Sequence, residues 1–579
     1  MATLEVEKSR YFSPAIIQTK PKWQITQGPL SISSAPFATL SASSAQLSFQ
    51  IQVPSQNVFL DKRLPLTASV FIQLTVNPGA AAFGDPVLVL GRDAAVAPYP
   101  LHSLMSTIQI TLGDTQLSTN MAQNRDLILR LLDSYKARAH KTSTSALDTF
   151  KSYNDAAGTL SNPLAGFGDA LLSEPNGSSP DVYFVDPTSG ADLVGAGNYT
   201  YQGTVYTYAN GVPTCFAVGP AGGYPVFMRI ASTELLQISP FQWTEDASES
   251  TGLFGLTNAS LVINLQNPTV ARMLRQCSTY GRTVTVQPTF FTPPTSTSPW
   301  QGARVDATFL TPSLSVPLAP RSILPWHEVV TYQYPVTLQP GGGQTAQSQT
   351  LSLPLIPDLV CFAVQPINQL ATDAVYYLPV TAISLSWSNF SGLLSSLNTS
   401  QLYRICAENG LKQSYSQWRG RARTQRGIVQ TVSGPLILAP GKDITLQEGE
   451  ASGVVSNSTV QATLTIDNSF AAPGVPTACM LTVLCVNSGF LVSERGQSRI
   501  IRGPITQSDV LSAPIMGTSH DLVRMIGSGV HDKFANALSK SKDFMSGVAQ
   551  TVKEQLPRAV ASVASAARQM SSDLAHRIM

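Results

Sequence analysis

The sequence predicts an all-β protein made of two related β-domains in tandem, closed by an α-helical C-terminal tail. Three observations carry this reading. Apolar and polar residues alternate along much of the chain with the two-residue period of half-buried strands. A strand–turn–strand–helix unit at residues 101–135 returns at 381–411. From about residue 519 the apolar spacing changes to threes and fours, the period of a helix face.

The repeated unit is the centre of the argument. In its first copy Ile108, Ile110 and Leu112 alternate with polar residues and Gly113-Asp114 turns the chain. A short polar strand then runs through Leu117, and Asn124 is placed to cap a helix carrying Leu127, Ile128, Leu131 and Leu132. In the second copy Ile383, Leu385 and Trp387 alternate, Ser388-Asn389 turns, and Ser400 is placed to cap a helix with Leu402, Tyr403 and Cys406. Adding 275 to positions 108, 110, 112, 127, 128 and 131 gives 383, 385, 387, 402, 403 and 406, so the copies align without a gap. A spacing near half of the 579-residue chain points to duplication of a whole domain, against the alternative of a common motif aligning by chance.

Composition bounds the surface chemistry. The chain is 43% hydrophobic but only 12% charged, where about 25% charged is usual. With 40 Gly and 40 Pro, it reads as many short strands joined by uncharged loops, with surfaces to be covered by neighbours. The net charge of +2 argues against a nucleic-acid binder as a whole. Six cysteines (Cys215, Cys277, Cys361, Cys406, Cys479, Cys485) form no CxxC pair. Three of them lie in apolar runs, which predicts buried free thiols and a reducing compartment. The N-terminal residues lack the apolar core of a signal peptide, and no apolar run approaches the about 18 residues of a membrane span.

In chain order, residues 1–45 read as an extended N-terminal arm with recurring prolines, or as a frayed terminus. Strands begin at Gln46, with Leu47, Phe49, Ile51 and Val53 alternating, and continue at 66–74 and 87–90. Residues 150–225, rich in Gly, Ser, Asn and Tyr, are too long for a passive connection and predict an exposed tower-like insertion, with a partly disordered loop as the alternative. Strands resume at 226–230, 259–265 and 282–291, with a short helix expected around 268–277. The strand pattern breaks at 317–325, so the first domain is placed at 46–322 and the second at 323–515. Within the second, strands are expected at 328–336, 351–353, 359–364, 434–446, 459–466 and 478–486. The nine-residue run ACMLTVLCV reads as a strand buried on both faces.

Residues 516–579 form the predicted helical tail. Its apolar stripe includes Val530, Phe534, Leu538, Met545, Val548 and Val552, a contact face for its own β-domains, a neighbouring protein or a membrane surface. The thin, Ala- and Ser-rich stripe favours protein contact.

Reaction chemistry is nearly absent from the pattern. No phosphate-binding loop or nucleophile elbow occurs, and His327-Glu328 lacks the second His of a zinc-protease motif. No catalytic residue, cofactor or metal ligand set is assigned. One basic cluster stands out: Arg419, Arg421, Arg423 and Arg426, four arginines in eight residues. Its readings are an interface with a neighbour's carboxylates and carbonyls, phosphate contacts with a packaged genome, or a solvated loop.

The runs Ile383-Ser-Leu-Ser-Trp387, Gly392-Leu-Leu-Ser-Ser396, Gln401-Leu-Tyr-Arg-Ile405 and Asn409-Gly-Leu411 resemble the second barrel of double jelly-roll major capsid proteins. The run Leu104–Gly113 resembles the strand–turn–strand of their first barrel, and Pro440–Leu446 has the character of their last loop. These are the hexon-like proteins of adenovirus-like, virophage-like, polinton-like and tailless-phage capsids; the resemblance covers residues 46–500. It implies two tandem eight-stranded jelly-roll barrels with a long loop insertion in the first. It further implies a non-enzymatic, structural protein that assembles as pseudo-hexagonal homotrimers into an icosahedral shell in the virion. Neighbouring capsomers would be its partners, with minor capsid or penton proteins, genome or an inner membrane as further contacts through the tail. The tail itself departs from a simple member of the family. Two other classes stay open: a small RNA-virus coat protein with one jelly-roll shell domain and a protruding β-domain, and a carbohydrate-binding or carbohydrate-cleaving β-sandwich.

Overall fold

Alternation in the sequence becomes two-faced sheets in the computed structural model. It describes residues 31–77, 87–89, 94–97, 99–132, 150–151, 181–210, 215–218, 224–241, 252–265, 272–276, 285–311, 322–370, 372–424, 427–447 and 450–502. All of these fall within one compact unit, Lys22–Gly503. The predicted helical tail and the first 30 residues of the predicted arm lie outside the described residues.

The first half is built from β1 (Ser31–Ala42), β2 (Gln46–Gln52), β3 (Pro65–Asn77), β4 (Met105–Leu112), β5 (Thr115–Asn120), β6 (Tyr224–Leu235), β7 (Asn258–Leu265) and β8 (Trp300–Thr311). They pair in the orders β1-β8-β3-β6 and β5-β4-β7-β2. Strand β1 links the two sheets, pairing with β8 over residues 31–38 and with β2 over residues 39–42.

The second half holds β9 (Ser322–Leu338), β10 (Gly341–Gln347), β11 (Leu351–Leu355), β12 (Leu359–Pro366), β13 (Val380–Trp387), β14 (Phe390–Leu393), β15 (Leu436–Leu438), β16 (Val455–Asn468) and β17 (Thr477–Glu494). Its orders are β9-β17-β12-β15 and β14-β13-β16-β10, with β11 also on β16. If β10 and β11 are taken as one interrupted strand, both halves read first-eighth-third-sixth and fifth-fourth-seventh-second. The halves on either side of Pro320 thus share one strand order.

The repeated unit falls where this order requires it. Helix α1 (Pro100–Leu104) leads into β4, β5 and α2 (Met121–Leu132); β13 and β14 lead into α3 (Thr399–Glu408) and α4 (Tyr415–Trp418). Both predicted caps are displaced. Asn120, not Asn124, accepts from a helix-start amide, that of Gln123 at 3.2 Å, because α2 begins at Met121, four residues earlier than a cap at Asn124 would start it. Asn398, not Ser400, caps α3, in a reciprocal box with Gln401.

Each half also lends residues to the other. The first core takes in Leu324, Trp326 and Leu491 from the second half, and the second core takes in Leu127, Ile128 and Leu131 of α2. Helix α2 lies against the outer face of β9: Thr331 Oγ1 donates to Asn124 Oδ1 at 2.8 Å, and Gln123 Nε2 donates to Gln333 Oε1 at 3.2 Å. Leu484 and Thr482 of β17 stand in register with Thr331 and Gln333 and so share that face. Within the ACMLTVLCV run, Leu481–Val486 is buried on both faces while Ala478 is exposed and Met480 half-buried; one face lies inside the sandwich, and the other, at Leu484, lies under a helix from the other half.

Several expectations are corrected. Among the described residues strands begin at Ser31, not Gln46; SISSAPFATLSA is mostly exposed with no buried residue, and Ser and Ala fall on both of its faces, so its sequence shows no clear apolar–polar alternation. Where a helix was expected near 268–277, Leu274–Gln276 pairs as a strand with Ala94–Val96. Within 434–446 only Leu436–Leu438 is ladder-bonded, since Gly441 closes a turn back to Ile444. The insertion contains strand structure: Asp181–Phe184 extends the sheet beyond β6, and strands at 196–201, 204–210 and 215–218 form a meander joined to Val87–Val89.

Candidate functional site

The described residues bring no group of three His, Cys, Asp or Glu together in a metal-holding arrangement. The ionisable groups that are buried serve the fold. Glu234, at the end of β6, accepts from the backbone amides of Leu101 (2.8 Å) and His102 (2.9 Å) and lies 2.6 Å from His102 Nδ1. It therefore satisfies helix-start amides of α1 that have no partner within the helix. His327 backbone N–H donates to Ser239 Oγ of the first half, and its ring lies 3.0 Å from Ser488 Oγ. Burial lowers its pKa below the ordinary imidazole value, opposed by the charge of Asp358.

Cys361, Cys406, Cys479 and Cys485 are buried free thiols. Burial pushes Cys479 up to about 11 and Cys406 and Cys485 up to about 12. These are packing residues, not nucleophiles.

What the surface offers instead is contact area. The outer face of the β8-β3-β6 sheet carries an open polar groove of about 550 Å³, floored by Thr67, Ser69, Thr233 and Gln301 with Arg229 and Arg304 at its sides. Alternation places these residues outward while Leu66, Ala68 and Val70 point into the core. The groove is braced by ion pairs: Arg229 with Asp192 of the insertion, and Arg304 with Asp306 at 3.1 Å. Nothing in the spacing of residues 67, 192, 229 and 304 marks them as neighbours; three strands and a hairpin bring them together.

The basic cluster is not a uniform patch. Arg419 caps the end of α4, its guanidinium 5.8 Å from the ring centre of Tyr415. Arg421 opens a small hairpin, Arg421–Thr424 with Gly427–Gln430; it is ion-paired with Asp467, bonded to Ser469 at 2.6 Å and placed over the Phe470 ring. Arg423 is exposed. Arg426 lies outside the described residues, as do Val530, Phe534, Leu538, Met545, Val548 and Val552 of the tail face.

Two sandwiches of one strand order, each lending residues to the other's core, are the architecture of the double jelly-roll capsid proteins. The chain belongs to the Sputnik virophage major capsid protein family: residues 6–310 match its first domain and residues 327–489 match the major capsid protein V20 C-terminal domain. It is 26% identical over 542 residues to a Sputnik virophage protein named as capsid protein V20, covering 90% of this chain and 83% of the relative. Among solved structures, the Sputnik virophage structure at 3.5 Å by cryo-EM superposes with a TM-score of 0.68 at 21% identity, covering 89% of this chain and 97% of that one. The mavirus major capsid protein gives 0.62 at 11% identity, covering 88% and 97%. The chain is a viral major capsid protein, a structural component whose place is the virion. Among the described residues no helix is long and apolar enough to cross a membrane.

Proposed function

We propose that each chain supplies two eight-stranded jelly rolls side by side and that three chains close a pseudo-hexagonal capsomer, the tile of an icosahedral shell. The observation that carries this is the strand order common to both halves. Two similar barrels per chain let three molecules present six similar walls to their neighbours, and no reactive group is needed. The β1–β2 continuity, which joins the two sheets of the first sandwich, supports the barrel reading.

In this reading residues 150–225 form an outward tower on the first barrel, which takes in the strand from Ser31 and runs to about residue 322, and 323–515 forms the second. The tail, 516–579, holds minor capsid or penton proteins through Val530, Phe534, Leu538, Met545, Val548 and Val552; genome or an inner membrane is the alternative contact. Within the basic cluster, the internal pairing of Arg421 favours a role at an interface over phosphate binding.

Light scattering on the purified chain tests the capsomer. The expected mass is three times the 61.7 kDa chain, with hexagonal outlines in negative stain. A stable monomer or dimer at assembly concentrations overturns it.

A further inference from the structure

Large apolar side chains that stand exposed on this chain gather at one end of the second sandwich. Nine are exposed among the described residues, and five of these, Ile367 (52%), Leu370 (67%), Ile428 (64%), Phe470 (39%) and Val475 (58%), lie on three loops that meet. The loop after β12 is tied to the start of β17, where Ile367 N–H donates to the Ala478 carbonyl; Asp467 N–H, at the end of β16, donates to the Pro379 carbonyl just before β13. Arg421 of the small hairpin pairs with Asp467 and lies over the Phe470 ring. Lys151 links hairpin and loop, its amide donating to the Gln430 carbonyl and its own carbonyl accepting from Ala374. Local turns hold the apolar residues out as separate points: Asp373 N–H donates to the Leu370 carbonyl, and Val475 N–H to that of Ala472. Charge at this end is one-sided. Lys151 pairs with Asp373 at 3.9 Å and Arg421 with Asp467, which occupies both acids. Arg419 and Arg423 are exposed with no carboxylate partner among the described residues. Arg423 stands directly across the hairpin from Ile428, so a cation and an apolar side chain share one open face.

We propose that this end of the second sandwich docks on an anionic lipid bilayer, the five apolar side chains entering the headgroup region and Arg419 and Arg423 meeting lipid phosphates and carboxylates. An exposed apolar patch rimmed by polar groups marks a contact site, and its surplus of cations selects a negatively charged partner. A bilayer holding acidic lipids offers negative charge at its surface and an apolar layer beneath it, which complements this end on both counts. Separate points on three loops suit a fluid surface that closes around each one, whereas a protein surface needs a matching hole for every point. In the capsomer reading neighbours meet along the sandwich walls, which leaves this end uncovered. It also carries Phe150 and Lys151, where the insertion begins, through the pairing of Phe150 with Thr431. The docking rests on that reading only in facing outward; the surface itself belongs to one chain.

Vesicle flotation of the full-length chain tests the docking. Vesicles of phosphatidylcholine alone are compared with vesicles in which a third of the lipid is phosphatidylserine. Binding is expected to the second kind and to weaken as salt is raised. Leu370→Ser combined with Val475→Ser is expected to lower vesicle affinity by at least about tenfold, and Arg423→Gln by about fivefold, the effect of roughly one charge near the surface. All three side chains are exposed, so the variants are expected to keep the melting temperature and light-scattering mass of the parent. Equal binding to both kinds of vesicle, or no binding by the parent, overturns the proposal. Full binding by the variants also overturns it, since the lipid contact then lies elsewhere, as on the C-terminal tail. A trimeric parent that ignores vesicles leaves the capsomer standing, and a monomeric parent whose binding falls in the variants overturns the capsomer alone.

Discussion

Glu234 and His102 form a fully enclosed pair: the carboxylate lies 2.6 Å from His102 Nδ1, and both side chains have no exposure to solvent. The same carboxylate takes two helix-start amides and the Ser232 hydroxyl at 3.1 Å. Removing it leaves the amides of Leu101 and His102 buried without that acceptor. Glu234→Ala is expected to cost about 3–5 kcal/mol, read as a lowered unfolding midpoint in denaturant. Loss of less than about 1 kcal/mol would show that water replaces the carboxylate.

His327 sets a pH dependence. Burial holds its folded pKa below the unfolded value near 6.5, so the unfolded chain binds the proton more readily in the interval between the two. The stabilisation is complete above about 6.5 and is lost as pH falls through the lower, folded value. The melting temperature is expected to drop on acidification from pH 7.5 towards 5.5, and His327→Gln to flatten that part of the profile. Identical profiles for the two proteins would assign the acid sensitivity elsewhere.

Ile128 belongs by sequence to the first half but by packing to the second. Ile128→Ala is expected to cost about 2–5 kcal/mol and to raise hydrogen exchange in β17 and β12, not in the β-strands of the first half. For the same reason residues 323–502 alone are expected to bind a hydrophobic dye and lack a cooperative melt, because the face under α2 is uncovered. A cooperative transition in that fragment would contradict the shared core.

The basic cluster separates into two behaviours. Arg421 is held by Asp467 and Ser469, so Arg421→Ala is expected to cost about 1–2 kcal/mol, allowing for its partial exposure. Arg423 is exposed, and Arg423→Ala is expected to change stability by no more than about 0.5 kcal/mol. Nucleic-acid binding by the purified capsomer that falls with Arg423→Ala would favour the genome-facing reading.

Legibility in the sequence follows the range of the interactions. Strands β2, β4 and β13 were readable because each buries one face and each residue reports its side; the turn at Gly113 was readable because φ there is +56°, which glycine adopts without strain. The offset of 275 exposed the duplication, and the shared strand order is its structural counterpart. Strand β1 was missed because Ser, Ala and Pro36 occupy both of its faces. The cap positions were missed because both helices start ahead of their apolar stripes. The groove was beyond reach, since Thr67, Arg229 and Arg304 meet only through the ladder of β3, β6 and β8, and so was the Glu234–His102 pair, whose members are 132 apart in the chain and meet only where α1 packs on β6. The crossing of α2 into the other half left a trace in ACMLTVLCV, an unalternated run that says a second cover exists without saying whose.

Four thiols sealed in the second half give the particle a chemical clock. Burial raises the pKa of each and keeps it from reagents in solution while the sandwich is shut. A virion therefore ages without cross-linking itself through these positions, and the rate at which they take up label measures how often a subunit opens.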